Sequence, residues 1–481
     1  MHITKSPIHI TNYQIEPGSF RDRDSRVFYG TNAVFRGLSE RALNEWEALS
    51  CTTFFPRFMA EGKLVHTERI DASREEASAL MGEWAAVLKH QIIPFISYPY
   101  EWSFGMLKDA ALLLLELLLV ALDEDMILKD SSAFNIQWKG AKPIFIDIPS
   151  FERLTPGEPW VGYRQFCQMF LYPLFLLAYK NVSFQPWLRG SIDGIEPEHC
   201  NNLMSVRDLL RPGVFMHVYL QTKMEARFAH TQKDIKGDLR AAGFNKALIK
   251  ANASRLSKII QGLTWNRARS QWSDYANDNS YTGTDREIKM GFVRNVVRSR
   301  PWNLVWDLGC NIGTFSRIAA ENARYVVAMD ADQLSIERFY QALKAEGHTS
   351  ILPLVSNLAD ASPNLGWRGL ERKALTERGK PDLTLCLALI HHVVISANIP
   401  LKEFVDWLAS LGSSLVIEFV TKEDPMVKTL LRNKQDNYAD YEIKYFEECL
   451  GKAFDVVQSK MLTSGTRILY FAQARISKRE G

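Results

Sequence analysis

The residues Asp307-Leu-Gly309-Cys310-Asn311-Ile-Gly313-Thr carry the strongest chemical signal in this chain of 481 residues. The apolar run Leu304-Val305-Trp306 leads into them and an amphipathic stretch leaves them, the pattern of a strand turning into a helix. Such a turn brings backbone N–H groups and a helix N-terminus up to a nucleoside ligand. Gly309 and Gly313 allow close backbone approach, and Asn311 is one of the few other residue types that tolerate positive φ. Asp330-Ala331 follows the next apolar run, Tyr325-Val-Val-Ala-Met, where a carboxylate can accept from both hydroxyls of a ribose.

A second set of candidates concerns proton transfer. His391 and His392 stand just beyond Ala388, past a fourth strand candidate, and imidazole titrates near neutrality. Either is a candidate base for a hydroxyl acceptor, with packing or orientation as the alternative. Glu418 ends a fifth strand candidate and is a candidate acceptor contact; a solvated carboxylate ahead of Lys422-Glu423-Asp424 is the other reading. In the first half, Asp130, then Asn135, then Asp147 beyond a hairpin repeat a phosphotransferase spacing: an aspartate for the acceptor hydroxyl, an asparagine and a second aspartate for metal. Their bland reading is as turn and cap residues.

These residues need strands and helices to hold them. Strand candidates end at Asp307, Asp330, Asn357, Ala388 and Glu418, with helices between them; Phe315, Ile318 and Ala319 make one apolar stripe. Asp455-Val-Val and Arg467-Ile-Leu-Tyr-Phe flank Thr463-Ser-Gly-Thr466 as a closing hairpin. This alternation predicts a doubly wound parallel sheet over 276–481. Upstream, short strands fill the first seventy residues, helices are expected over Met81–His90 and Phe104–Ala121, and Ile136–Trp138 pairs with Pro143–Asp147. Pro173 should divide a helix over Tyr163–Tyr179. The domains expected are 1–223 (α+β), a helical connection at 224–275, and 276–481 (α/β).

Composition narrows the classes. With 58 basic and 55 acidic residues the formal charge is +3, too balanced for a broad nucleic-acid footprint. Six scattered cysteines without C-x-x-C pairs argue for free thiols in a reducing compartment and against a zinc site, so no metal is expected there. The most apolar run, Ala110–Leu122, contains Glu116 and is shorter than the ~20 residues that span a bilayer. The chain is expected to be cytoplasmic and away from membranes; its oligomeric state is open.

The Asp307–Gly313 stretch resembles the glycine-rich first motif of class I S-adenosylmethionine-dependent methyltransferases, with Asp330 matching their ribose-binding acid and Asn357-Leu358 their adenine-contacting turn. The resemblance implies a seven-stranded Rossmann-like methyltransferase sheet that binds S-adenosyl-L-methionine. A dinucleotide domain is the competing reading, disfavoured by G-x-x-x-G in place of G-x-G-x-x-G. Trp272-Ser-Asp-Tyr275 and Ser280-Tyr281 are candidate lid residues over that cofactor, and Lys289 a candidate partner for its carboxylate. The absence of Asn/Asp-Pro-Pro-aromatic beside His391 argues against adenine or glutamine N-methylation.

The Asp130, Asn135 and Asp147 spacing resembles the catalytic half of protein-kinase-like and aminoglycoside-phosphotransferase-like domains. Arg36 stands where a strand lysine belongs, Glu45 or Glu47 where its helix partner belongs, and Leu64–Glu68 at the hinge. The departures are plain: no glycine-rich phosphate loop, Leu128 for the usual histidine, and Pro149 for the usual glycine. A degenerate kinase-like half, with ATP and magnesium as the alternative ligands, is the expectation. Longer strings (Phe95–Trp102, Leu128–Phe151, Trp160–Phe166, Leu389–His392 and Glu418–Asp424) resemble a bacterial methyltransferase family that includes the host-specific nodulation protein NoeA. That likeness implies an unidentified acceptor, a small molecule or a glycan precursor.

Overall fold

A computed structural model describes residues 13–70, 84–228, 244–267, 283–432, 434 and 437–475. The first half opens on an antiparallel sheet of β1 (Gln14–Ile15), β2 (Ser25–Tyr29), β3 (Val34–Leu38), β4 (Thr67–Ile70) and β5 (Ala86–His90), in the order β1-β2-β3-β5-β4. Helices α1 (Glu40–Ser50) and α2 (Phe54–Ala60) connect β3 to β4, where only short strands were expected. Ser39 caps α1 by accepting from the Ala42 N–H. The helix predicted over Met81–His90 is, in its described part, strand β5. Because β5 lies between β3 and β4 and is buried on both faces, its apolar run lacks the alternation that marks a half-exposed strand.

Helix α3 (Phe104–Asp123) is buried on most of its circumference and presents Glu116 to solvent, paired with Lys63 at 2.7 Å. Behind it β6 (Met126–Leu128) pairs with β9 (Phe151–Arg153), and β7 (Ile136–Lys139) forms the expected hairpin with β8 (Lys142–Phe145). A π-turn at Cys167–Leu171 leads without a break into α4 (Tyr172–Lys180), so Pro173 follows a local widening of one continuous helix and does not divide it. Helix α5 (Lys246–Gly262) lies along α3.

After α6 (Gly283–Arg298) the second half is one seven-stranded sheet of β10 (Trp302–Leu308), β11 (Ala323–Asp330), β12 (Ile351–Val355), β13 (Leu383–Cys386), β14 (Ser414–Val420), β15 (Phe454–Met461) and β16 (Arg467–Ala474). Its order is β12-β11-β10-β13-β14-β16-β15, parallel except for β16, which runs antiparallel to both neighbours. Helices α7 (Thr314–Ala319), α8 (Gln333–Ala345), α9 (Leu401–Ser410) and α10 (Ile443–Ala453) connect the strands. Order reverses between β10 and β13, so their carboxyl ends open the crevice where such sheets bind ligands. Residues 356–382 contain only single-turn helices and reach across to the first half.

The halves share one hydrophobic core. Trp138 meets Tyr340 edge to face at 5.6 Å, and the Tyr325 hydroxyl accepts from the Gly140 N–H at 3.0 Å. Arg378 forms a buried bidentate pair with Glu101 at 2.6 and 2.7 Å. Among the described residues no helix is long and apolar enough to cross a membrane.

Candidate cofactor site

Three left-handed residues build the turn after β10: Gly309 (φ 74°), Asn311 (φ 51°) and Gly313 (φ 81°). The backbone N–H groups of Gly309 and Cys310 both donate to the Met329 carbonyl, at 2.8 and 3.0 Å, which draws the turn against the tip of β11. A Cβ at Gly313 would stand 1.9 Å from the Phe339 ring, so this glycine is required by packing as well as by φ. Asp330 accepts from the Asn311 N–H through Oδ2 and from the Asp332 N–H through Oδ1, both at 2.8 Å. Asp307 is buried and accepts from the Ser316 hydroxyl at 2.6 Å.

The two aspartates therefore approach one another at adjacent strand tips, and burial shifts both. Desolvation pushes Asp307 up to about 6, against the Ser316 hydrogen bond and with help from the Asp330 charge. Asp330 is raised by burial, against the backbone N–H groups it accepts from. Burial also holds the Cys310 thiol well above its ordinary range. Ala331 is exposed beside Asp330; past β12, Asn357 is exposed and accepts from the Ala359 N–H at 3.1 Å, with Leu358 half-buried behind it. Ala388 takes φ 53°, and the following Leu389 packs over Gly309.

His391 is fully buried, with neither ring nitrogen hydrogen-bonded, and its ring lies 4.1 Å from that of His392. Burial lowers His391 well below the usual histidine range and His392 to about 4, so both are neutral at physiological pH. Glu418 lies inside β14, which runs on to Val420, and is fully buried. It accepts from Lys289 Nζ at 2.6 Å, and Lys289 also sits 4.8 Å over the Phe315 ring. Arg467 Nη1 stands 3.7 Å from Glu418 and pairs bidentately with Asp424, at 2.7 and 3.1 Å. The sequence reading missed Arg467 and Asp424, because an arginine opening an apolar strand carries no local mark of burial. Tyr281, with Trp272, Tyr275 and Ser280, lies outside the described residues.

In the first half, Asp130, Asn135 and Asp147 gather at one place. Asp130 accepts from the Ser132 N–H at 2.9 Å, Asn135 donates to Ser150 at 3.4 Å, and the Ser150 hydroxyl donates to Asp147. Burial, with the charge of Asp147, raises Asp130. Arg36 pairs with Asp147 at 2.8 Å, whereas Glu45 engages Arg153 and Glu47 engages Arg69. Elsewhere in the first half the β1–β2 connection meets the 356–382 segment. Arg21 pairs with Glu371, Lys373 Nζ with Glu16 at 2.6 Å, and the Lys373 N–H donates to the Tyr98 hydroxyl at 2.7 Å. A Cβ at Gly18 would stand 2.8 Å from the Leu370 carbonyl oxygen. Among the described residues no group of three or more His, Cys, Asp or Glu is placed to hold a metal ion.

No protein-family model matches the chain. Among solved structures, the N-methyltransferase NodS from Bradyrhizobium japonicum WM9, in complex with S-adenosyl-L-homocysteine, is 14% identical over 42% of this chain and 94% of its own, with a TM-score of 0.31. Magnesium protoporphyrin IX methyltransferase (ChlM) from Synechocystis PCC 6803, with the same ligand, is 20% identical over 42% of this chain and 93% of its own, with a TM-score of 0.29. Nodulation protein NoeA of Rhizobium meliloti (strain 1021) is 34% identical over 456 residues, 94% of either chain. At that identity and coverage, the chain belongs to the family of the nodulation protein NoeA.

Proposed function

We propose that the chain is an S-adenosylmethionine-dependent methyltransferase whose cofactor lies across the tips of β10, β11 and β12. The observation that carries the reading is the Asn311–Asp330 contact. It joins the glycine turn to the ribose-side carboxylate, in a sheet whose order and single antiparallel strand match the class I methyltransferase pattern. The residues fit such a ligand: Asp330 keeps lone pairs for a diol, Gly309 and Asn311 present backbone at close range, and buried carboxylates suit a cation. When bound, the cofactor supplies an electrophilic methyl group on a sulfonium.

Asp307 and the turn orient the methionine end, Asn357 and Leu358 border the adenine, and Leu389 shields the turn from water. His392, partly exposed and kept neutral by burial, offers a lone pair to a protonated acceptor such as a hydroxyl, with the fully buried His391 packed behind it; the acceptor class is a small molecule or glycan precursor. The Lys289–Glu418 pair supports the site from behind, with each charge answered by the other. Titrating S-adenosylhomocysteine into the intact protein tests the reading. Saturable binding that is weakened in Asp330→Ala supports it; binding of NADH in place of S-adenosylhomocysteine overturns it.

A second reading concerns the first half, where the order β1-β2-β3-β5-β4, with α1 leaving β3 and Arg36 paired to Asp147, supports a kinase-like domain. The Leu370–Lys373 backbone packed against Gly18 and Tyr98 favours a domain that holds the methyltransferase half. A rise in melting temperature with ATP and magnesium that is lost in Asp147→Ala would restore the phosphotransferase alternative.

A further inference from the structure

A short stretch of the first half carries aliphatic side chains into solvent and is held rigidly while doing so. Val206 and Leu210, on the 3₁₀ helix Val206–Leu210, are 84% and 91% exposed, the two most exposed large apolar side chains among the described residues. The backbone beneath them is fixed. Asp208, buried under the helix, accepts from the Ser205 N–H and hydroxyl at 2.7 Å each, from Lys180 Nζ at 2.9 Å and from Arg211 Nε at 3.1 Å. Arg211 in turn lies 4.8 Å over the Tyr179 ring, and the Tyr179 hydroxyl donates to the Pro212 carbonyl at 3.2 Å. Two aliphatic side chains are thus held in water, where they add nothing to the core.

The patch continues on the next helical segment. Phe215–Leu220 packs against the 206–210 helix and runs on into Gln221–Phe228. Phe215 and Met216 are each 47% exposed. The Phe215 ring stacks on Tyr219 at 5.8 Å and Lys223 Nζ stands 5.7 Å over that same Tyr219 ring, so the three side chains share one face. Charge here is of one sign. Arg207 and Lys223 are exposed and form no ion pair among the described residues, whereas the two acids between Leu203 and Arg227 are engaged, Asp208 as described and Glu225 with Arg164 at 3.1 Å. Side chains as exposed as Val206 and Leu210 stand proud of the surface and line no groove. A lipid interface needs none: apolar groups enter the acyl boundary and the cations beside them meet phosphates.

We propose that this patch docks the protein peripherally on an anionic bilayer surface, with Val206, Leu210, Phe215 and Met216 entering the interface and Arg207 and Lys223 meeting headgroup phosphates. Such docking needs no spanning helix. It departs from the expectation, drawn from the sequence, that the chain keeps away from membranes. The inference stands apart from methyl transfer, since none of these residues belongs to the strand-tip site.

The test is flotation of the intact protein with vesicles of phosphatidylcholine mixed with phosphatidylglycerol, and with vesicles of phosphatidylcholine alone. Wild type should float with the mixed vesicles, bind phosphatidylcholine alone at least several-fold more weakly, and detach as salt rises. Val206→Ser with Leu210→Ser should weaken binding to the mixed vesicles at least ten-fold. Arg207→Gln with Lys223→Gln should weaken it roughly 30-fold and remove most of the salt dependence. All four positions are exposed, so the melting temperatures of both double variants should match wild type and show that each is folded. Equal flotation of wild type and the Val206→Ser, Leu210→Ser variant overturns the proposal, as does wild type that stays behind in solution with both kinds of vesicle. In the latter case, self-association that disappears in the same variant would make the patch a contact between two copies of the chain. Failure of S-adenosylhomocysteine to bind wild type would sink the methyltransferase reading and leave the lipid result standing.

Discussion

Replacing Glu418 separates two accounts of that residue, as support for the strand-tip site or as a contact for the acceptor. Around it two cations, Lys289 and Arg467, face two carboxylates, Glu418 and Asp424, and all four are sealed from solvent. Glu418→Gln keeps the shape and an acceptor atom but removes one negative charge, so the group changes from neutral to one excess positive charge. Breaking a buried pair by neutralising one partner costs about 3–5 kcal/mol. Converting both partners, in Lys289→Met with Glu418→Met, restores neutrality and should recover most of that loss. Urea unfolding of the whole protein, followed by tryptophan fluorescence, compares both variants with wild type, with S-adenosylhomocysteine affinity recorded alongside. The reasoning fails if Glu418→Gln unfolds within about 1 kcal/mol of wild type while methyl transfer is abolished, since Glu418 would then be meeting the acceptor.

Other perturbations reach the same site. Asp330→Asn removes the charge that a ribose would meet, and a lost charge-assisted hydrogen bond of about 1.5–3 kcal/mol weakens S-adenosylhomocysteine binding roughly 10- to 150-fold by calorimetry, with a loss of stability as well, because the amide can accept from only one of the Asn311 and Asp332 N–H groups. Gly313→Ala drives a Cβ into Phe339 at positive φ, and strain plus overpacking should cost about 2–4 kcal/mol in urea unfolding; an unaltered midpoint would contradict the packing described. Asp307 is raised from 3.8 to about 6, so between these values the folded state holds the extra proton. Stability of the ligand-free protein should therefore fall as pH rises through that window, and Asp307→Asn should flatten the fall in melts taken across it.

How much of this was legible along the chain depends on how local each cause is. The sheet from β10 to β16 could be read because every strand but the exposed edge strand β15 contains an apolar run that stops close to a carboxylate, a small residue or a turn. The left-handed turn at Gly309, Asn311 and Gly313 is likewise written in residue types. Strand β5 was misread because double-sided burial erases the period that distinguishes it from a helix. Helix α2 was hidden by its shortness and by aromatic residues that also suit strands, whereas α1, eleven residues rich in helix formers behind a serine cap, carries a signal that was there to be read. The bridges from Arg467 to Asp424, from Arg378 to Glu101 and from Arg21 to Glu371 join distant segments, and no spacing announces them.

Helix α8 serves two masters. One face covers the sheet beside β11 and β12, while the other reaches α3: Glu337 accepts from the Gly105 N–H at 2.7 Å, and Tyr340 and Lys344 both donate to Asp109 at 2.5 Å. A fragment cut away ahead of α6 would bare that second face and leave the start of α3 without its acidic cap. Swapping in a foreign catalytic half by recombination would meet the same obstacle. The two parts are thus expected to melt as one unit.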